Sequence, residues 1–303
     1  MINIRALRAG QGDCFILTYG NGIKNRYIII DGGMGKECFQ QLREFINSIK
    51  KNGDSIELLI LTHFDNDHID GFIQILKDKS IDSSVIKKIW FNYGTELSEY
   101  LKTKKQLQIY VDELSKQTSK EQGKDFYEKI QTNQIELEPI IKALDVYKMF
   151  GAKITILSPS VEQLNALVNE IGSDIGKASA LENNDLSKLT ASLKSDYSQE
   201  INELPLKEYS EKGVSVANKS SIAFLFEFES KRLLFLGDAV SSQIVSALSD
   251  LGYSKENLLK LNYCKIAHHG SSIILPLNYW NYLIVRTTLS VLIGHKIVRV
   301  KPA

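Results

Sequence analysis

The sequence predicts an α/β domain of layered sheets and helices. Strand-like and helix-like runs alternate through residues 1–92, the pattern that produces α/β layers. Residues 221–239 read as an apolar β-hairpin. Residue types that bind metal ions also close three separate strand-like runs, and C-terminal strand ends are where α/β folds gather their sites.

The elements follow in order. "INIRALRAG" alternates, "DCFILTYG" is short and apolar, and "NRYIIIDGG" ends on a Gly-Gly turn, so residues 2–33 are expected to be β structure. "ECFQQLREFINSIKK" places apolar residues at helical spacing and ends on Lys50 and Lys51, which suits a helix C-terminus. "SIELLILTH" reads as a buried strand, "DGFIQILKD" as the start of a helix and "VIKKIWFN" as another strand. From about 94 to 149 the chain is rich in Lys, Glu, Gln and Ser and reads as two or three amphipathic helices. "AKITILSPS" returns to strand, and 161–212 turns polar again. The hairpin "SIAFLFEFESKRLLFLGDA" has Ser230 and Lys231 near its turn. "SQIVSALSDLG" is helical, and "LNYCKIAHHGSS" ends a strand on two histidines. The organisation expected is one domain over 1–303, with a helical insertion at about 94–149, a second polar insertion at about 161–212 and an atypical tail at 271–303.

Bulk properties narrow the function classes. Lys and Arg total 37 against 36 Asp and Glu, a net charge of +1, so no global field concentrates polyanions. Three widely spaced cysteines, Cys14, Cys38 and Cys264, form no CxxC pair. That argues against a disulfide scaffold and for a reducing compartment. No apolar run reaches about 18 residues, so no membrane span is expected. The N-terminus enters a strand directly, without the charged and apolar regions of a signal peptide. The expectation is a soluble, cytoplasmic protein.

The densest chemistry lies in "LTHFDNDHIDG", Leu61–Gly71. A calcium loop beginning at Asp65 fails, because positions 5, 6 and 12 would be Ile69, Asp70 and Leu76. A transition-metal site fits better. His63 sits at or just past a strand end, and Asp67 falls in an N-cap-like place before the periodic "IDGFIQIL". Imidazole and carboxylate ligate zinc, manganese or iron, and crowding carboxylates on one loop is costly unless a cation compensates. Of the five histidines in the chain, His63 with His68 and His268 with His269 form two such clusters, leaving His295. "RLLFLGD" ends a third strand on Asp238.

The set "THFDNDH", "LGDA" and "AHHGS" resembles the metallo-β-lactamase superfamily, whose usual signature is HxHxDH, then GD, then a late histidine. Asp65 stands where the second histidine is usual. That HxDxDH variant, together with "GQGDC", "IIIDGG", "NKSS" and "HHGS", is similar to the hydrolase domain of the competence protein ComEC and its stand-alone relatives. The resemblance covers about residues 1–92 and 150–272. It implies an αβ/βα four-layer sandwich with two divalent metal ions, zinc or manganese, in a shallow cleft at one edge. Carried over by motif, His63 and Asp65 would hold one ion, Asp67, His68 and His268 the other, and Asp238 would bridge them. A metal pair lowers the pKa of a shared water, which Asp67 would orient or deprotonate. His269 is assigned beside the substrate or behind the ligands, because adjacent residues at a strand end point opposite ways. Asp65 as a hard ligand tilts its site toward manganese or magnesium. The superfamily's middle histidine is absent, with Asn218 near its place. Asp13 and Asp31, in glycine-bounded turns, are candidates for supporting the ligands.

The tail departs from the family pattern. His295 is followed by Lys rather than Pro, and residues 271–303 contain no Asp or Glu. When Ser272–Gly294 is reverse-translated and bases are dropped to shift the frame, permitted codons read an amphipathic helix followed by a strand. A frameshift is one hypothesis for this tail, with activity impaired if it is right. The function the resemblance implies is a metal-dependent hydrolase, a phosphodiesterase or nuclease using a metal-bound hydroxide. DNA and RNA are the candidate phosphoester substrates, although basic residues are only scattered (Lys87 and Lys88, Lys104 and Lys105). The alternative is a non-catalytic or accessory metal-binding module whose helical insertion binds a partner protein.

Overall fold

A computed structural model of the chain describes residues 1–103, 118–172, 211–270, 282–293 and 296–300. The expected four-layer sandwich is present: two sheets face each other and helices cover their outer faces. The first sheet has the order β1 (Ile2–Ala6), β2 (Phe15–Gly20), β3 (Asn25–Ile30), β4 (Ile56–Ile60), β5 (Lys88–Trp90) and β6 (Glu136–Glu138). β1, β2 and β3 pair antiparallel, and β3 through β6 pair parallel. The second sheet runs β7 (Val146–Met149), β8 (Ala152–Ser158), β9 (Ala223–Phe228), β10 (Lys231–Phe235), β11 (Leu259–Lys265), β12 (Leu283–Ile293) and β13 (Lys296–Val300). Its parallel steps are β10 to β11 and β11 to β12.

The central strands are apolar at successive positions because both of their faces are covered. In β3, Ile28 and Ile30 point into the core between the sheets, while Ile29 points to the helical layer. β4 divides Leu58 and Ile60 from Leu59 in the same way. Across the sandwich, Leu233 and Phe235 of β10 meet the shared core, and Leu234 faces the outer layer. That period of two is what an extended chain imposes.

Over the first sheet lie α1 (Lys36–Lys51), α2 (Asn66–Lys77) and α4 (Thr118–Thr132). α1 buries Cys38, Leu42, Ile46 and Ile49 and ends on Lys50 and Lys51. α4 stacks Phe126 on Phe72 of α2, with ring centroids 6.0 Å apart. α7 (Ser241–Asp250) covers the second sheet through Ile244, Ala247 and Leu248. Between the main elements lie α3 (Thr95–Thr103), α5 (Val161–Gly172) and the short α6 (Val216–Lys219).

Two sequence readings change. The polar stretch 94–149 is not helical throughout, because β6 and β7 within it extend the two sheets. Their residues are too short in run and too exposed to show a strand period. The cap of α2 is Asp65 rather than Asp67, since the Asp65 carbonyl accepts from the amides of His68 and Ile69. In the tail, β12 lies parallel to β11 and β13 returns antiparallel. Residues 104–117, 173–210, 271–281, 294–295 and 301–303 lie outside the described residues, and with them His295 and most of the second polar insertion. No described helix is long and apolar enough to cross a membrane.

Candidate metal centre

The C-terminal ends of β4, β10 and β11 open on one side of the sandwich and carry His63, Asp238 and His268 past their last paired residues. Two glycines make the approach tight. A Cβ on Gly12 would stand 1.5 Å from the Asp67 carbonyl oxygen, so only glycine lets the β1–β2 loop lie against the start of α2. Gly237 has φ 49°, and its Cβ would meet the Ser221 hydroxyl at 2.4 Å. That hydroxyl instead accepts the Asp238 amide at 3.0 Å and fixes the turn on which the carboxylate stands.

Six expected ligands meet here. His63 Nε2 is 3.7 Å from Asp65 Oδ2 and 3.9 Å from Asp238 Oδ2. His68 Nε2 is 3.7 Å from both Asp67 Oδ2 and Asp238 Oδ1. His268 Nε2 is 3.7 Å from Asp238 Oδ2. Asp238 thus lies between the imidazoles, with His268 facing the same oxygen as His63. The floor, made by His63, His68 and Asp238, is buried. The rim is open, with the side chains of Asp65, Asp67 and His268 33%, 30% and 37% exposed.

Behind the floor, Asp31 sets both buried imidazoles. Its carboxylate accepts the Thr62 amide at 2.8 Å, the Thr62 hydroxyl at 2.9 Å and His68 Nδ1 at 2.9 Å. The single Thr62 hydroxyl proton is directed to Asp31, so the oxygen accepts from His63 Nδ1, 3.0 Å away. Both rings therefore keep a proton on Nδ1 and turn Nε2 into the cluster. The His63 Nε2 atom is buried and has no hydrogen-bond partner among the described residues.

Charge is concentrated around these rings. Burial, reinforced by the adjacent His68, lowers His63 to about 3. Burial would also lower His68, but Asp31 and Asp238 outweigh it and raise that ring to about 10. Burial and the neighbouring Asp67 lift Asp65 to about 6. Carboxylates crowded in this way call for a compensating cation.

The cluster fits metal ions on its own geometry. Two donors, each about 2.1 Å from one ion, stand about 3.4–3.9 Å apart as the angle between them opens from tetrahedral. The gaps of 3.7–3.9 Å match that separation and are too long for hydrogen bonds. His63, His68 and Asp238 bring ligand atoms within 4.8 Å of one another, as do Asp13, Asp31 and His68.

Residues 7–146 match the family model described as the metallo-beta-lactamase superfamily. That stretch is what makes the chain similar to the metallo-β-lactamase superfamily. Its span is just under half of the chain and includes the HxDxDH loop. Among solved structures, the chain is similar to the metallo-β-lactamase fold protein YhfI from Bacillus subtilis, at 9% identity, covering 86% of this chain and 70% of that one with a TM-score of 0.38. It is similar to zinc-bound PqqB from Methylobacterium extorquens, at 8% identity, 90% and 68% coverage and a TM-score of 0.37. It is also similar to the long form of RNase Z from yeast, at 14% identity, 87% and 32% coverage and a TM-score of 0.36, so the chain spans about a third of that protein. No curated protein matches it.

Some site residues were not legible in the metallo-β-lactamase motifs. Thr62 and Ser221 act through their hydroxyls, and Lys265 through a buried ammonium. Only "THFDNDH" and "NKSS" placed the first two near ligands, and Lys265 lies inside "LNYCKIAHHGSS", read as a strand ending on two histidines. Asn218 stands near the place of the missing histidine, but its carboxamide oxygen accepts from the Ser215 hydroxyl at 2.8 Å. The residue of that segment that reaches His63 is Ser221, 3.5 Å from Nδ1. The His269 side chain lies outside the described residues.

Proposed function

We propose that the chain is a metal-dependent hydrolase of phosphodiesters, with DNA or RNA as the candidate substrate. The observation that carries this reading is the convergence of His63, Asp65, Asp67, His68, Asp238 and His268, with gaps of 3.7–3.9 Å, around the buried His63 Nε2, which has no hydrogen-bond partner among the described residues. His63 and Asp65 are assigned to one ion and Asp67, His68 and His268 to the other, with Asp238 shared. Zinc and manganese suit this mixed nitrogen and oxygen set, and the hard Asp65 carboxylate favours manganese. The ions would supply Lewis-acid activation of a water and stabilisation of charge on the scissile phosphate.

The chain's own residues perform the remaining work. Asp31 and Thr62 hold both imidazoles in the tautomer that offers Nε2. Asp67, on the open rim, orients the attacking water or takes its proton. His269 is assigned to the substrate side of the cleft. The HxDxDH variant supports the closer likeness to ComEC hydrolase domains, and the free, buried Cys14, Cys38 and Cys264 support a reducing, cytoplasmic setting. A single domain bearing insertions at about 94–149 and 161–212 remains the proposed organisation.

Hydrolysis of a chromogenic phosphodiester with manganese, compared between the wild type and Asp67→Ala, tests the reading. The variant is expected to lose about 100-fold or more in kcat, the scale of a positioned acid–base group. Equal rates would remove the proposed role of Asp67. Tight ion uptake without turnover of phosphodiester, lactone or β-lactam substrates would favour the accessory role.

A further inference from the structure

Lys265 closes β11 with its side chain 3% exposed. An ammonium that deep is retained only if carboxylates and carbonyls replace its water. It forms a very close ion pair with Asp13, donates to the Gly237 carbonyl at 3.0 Å and stands 3.9 Å from Asp238 Oδ1. Asp13 is itself 1% exposed. One side chain therefore ties together the β1–β2 loop, the turn after β10 and the end of β11.

The position of the ammonium matters more than its burial. Asp238 Oδ1 faces His68 Nε2 on one side and Lys265 Nζ on the other. Gly237, whose carbonyl Lys265 holds, directly precedes Asp238, and the same carbonyl accepts the His268 amide at 3.1 Å. The ammonium thus grips the peptide between the central carboxylate and the open-rim imidazole. It also places a positive charge behind the candidate ligands, beside Asp13 and Asp238.

We propose that Lys265 is a positioning residue of the metal centre: a built-in cation that neutralises Asp13, fixes the Gly237 turn and aims the Asp238 carboxylate between the two ions. This rests on the two-ion reading above and deepens it. It assigns Lys265 two separable tasks. The pair with Asp13 serves folding, and the contacts with Gly237 and Asp238 serve ion binding.

The double variant Asp13→Asn/Lys265→Met separates them. Lys265→Met alone removes the ammonium that faces the buried Asp13 carboxylate and is expected to be strongly destabilised, whereas removing both members of a buried pair is often neutral. Ion uptake is followed by titrating chelator-stripped protein with manganese, and ligand geometry by the visible absorption of the cobalt(II) form. The double variant is expected to regain stability close to the wild type. It should still bind manganese about 10–100-fold more weakly, as loss of groups behind a ligand does, with an altered cobalt spectrum. Wild-type affinity and an unchanged spectrum in the double variant would overturn the proposal while leaving the metal reading in place. A wild-type chain that takes up no ion would remove both, and that outcome is visible before any variant is compared.

Discussion

The Asp31 relay yields the sharpest mutational test. Asp31 is buried at φ 58° and accepts from the Thr62 amide, the Thr62 hydroxyl and His68 Nδ1. Asp31→Asn keeps the volume, and Asn tolerates that left-handed conformation. The Thr62 amide at 2.8 Å from Oδ1 demands an acceptor, so the carboxamide oxygen must lie there and the NH2 must replace Oδ2. The NH2 then donates to the Thr62 hydroxyl, whose proton turns toward His63 Nδ1, and also faces His68 Nδ1. Both rings are driven to carry their proton on Nε2, the atom each needs for an ion. Stability falls by about 1–2 kcal/mol as charged hydrogen bonds become neutral, and ion affinity falls about 10–100-fold. Asp31→Ala is harsher. It strands the Thr62 amide and His68 Nδ1 at about 1–3 kcal/mol each and adds about 1 kcal/mol for alanine at positive φ, or about 3–7 kcal/mol together. Urea unfolding in chelator reads the stability, and manganese titration calorimetry reads the affinity. An Asp31→Asn protein that binds manganese as the wild type does would refute the relay.

Two further predictions follow from geometry and charge. Gly12→Ala is expected to push Asp67 out of place, because the new methyl would stand 1.5 Å from its carbonyl oxygen. Thermal unfolding should show a loss of several kcal/mol, as overpacking against backbone does, and manganese affinity should fall with it; an unperturbed variant would show that the loop and α2 do not touch. Protonation gives the second. The folded-state pKa of His68 is raised to about 10 from an ordinary 6.5. Its stabilisation of the ion-free chain is therefore complete below pH 6.5 and is lost as pH rises toward 10. An ion must displace that proton, so uptake at pH 7 should release about one proton and tighten about tenfold per pH unit up to pH 10. Calorimetry in buffers of different ionisation enthalpy reads the release, and a buffer-independent heat would contradict the assignment.

Much of the layered fold was legible because its signals are local. Ile28–Ile30 and Leu58–Ile60 advertise buried strands, and Cys38, Leu42, Ile46 and Ile49 advertise one face of a helix. β6 and β7 were not legible, because three or four half-exposed residues carry no period and owe their state to neighbours already in place. The candidate ligands were readable from residue type at strand ends. The groups behind them were not. Thr62 and Ser221 are common residues whose role depends on where Asp31 and Gly237 place them, and the charge of Lys265 is paired with Asp13, far away in sequence. The cap of α2 was misplaced by two residues because Asp65 and Asp67 both suit it. The structure gives the backbone cap to Asp65 while turning its carboxylate toward His63.

The account depends on cations held between His63, His68 and Asp238. The most direct measurement is the metal content of chelator-stripped protein after incubation with manganese or zinc and removal of free ion, set beside Asp238→Ala treated in the same way. About two ions per chain in the wild type, and a loss of both in the variant, is the predicted result. A wild-type chain that retains no ion, or a variant that retains as many, would contradict it.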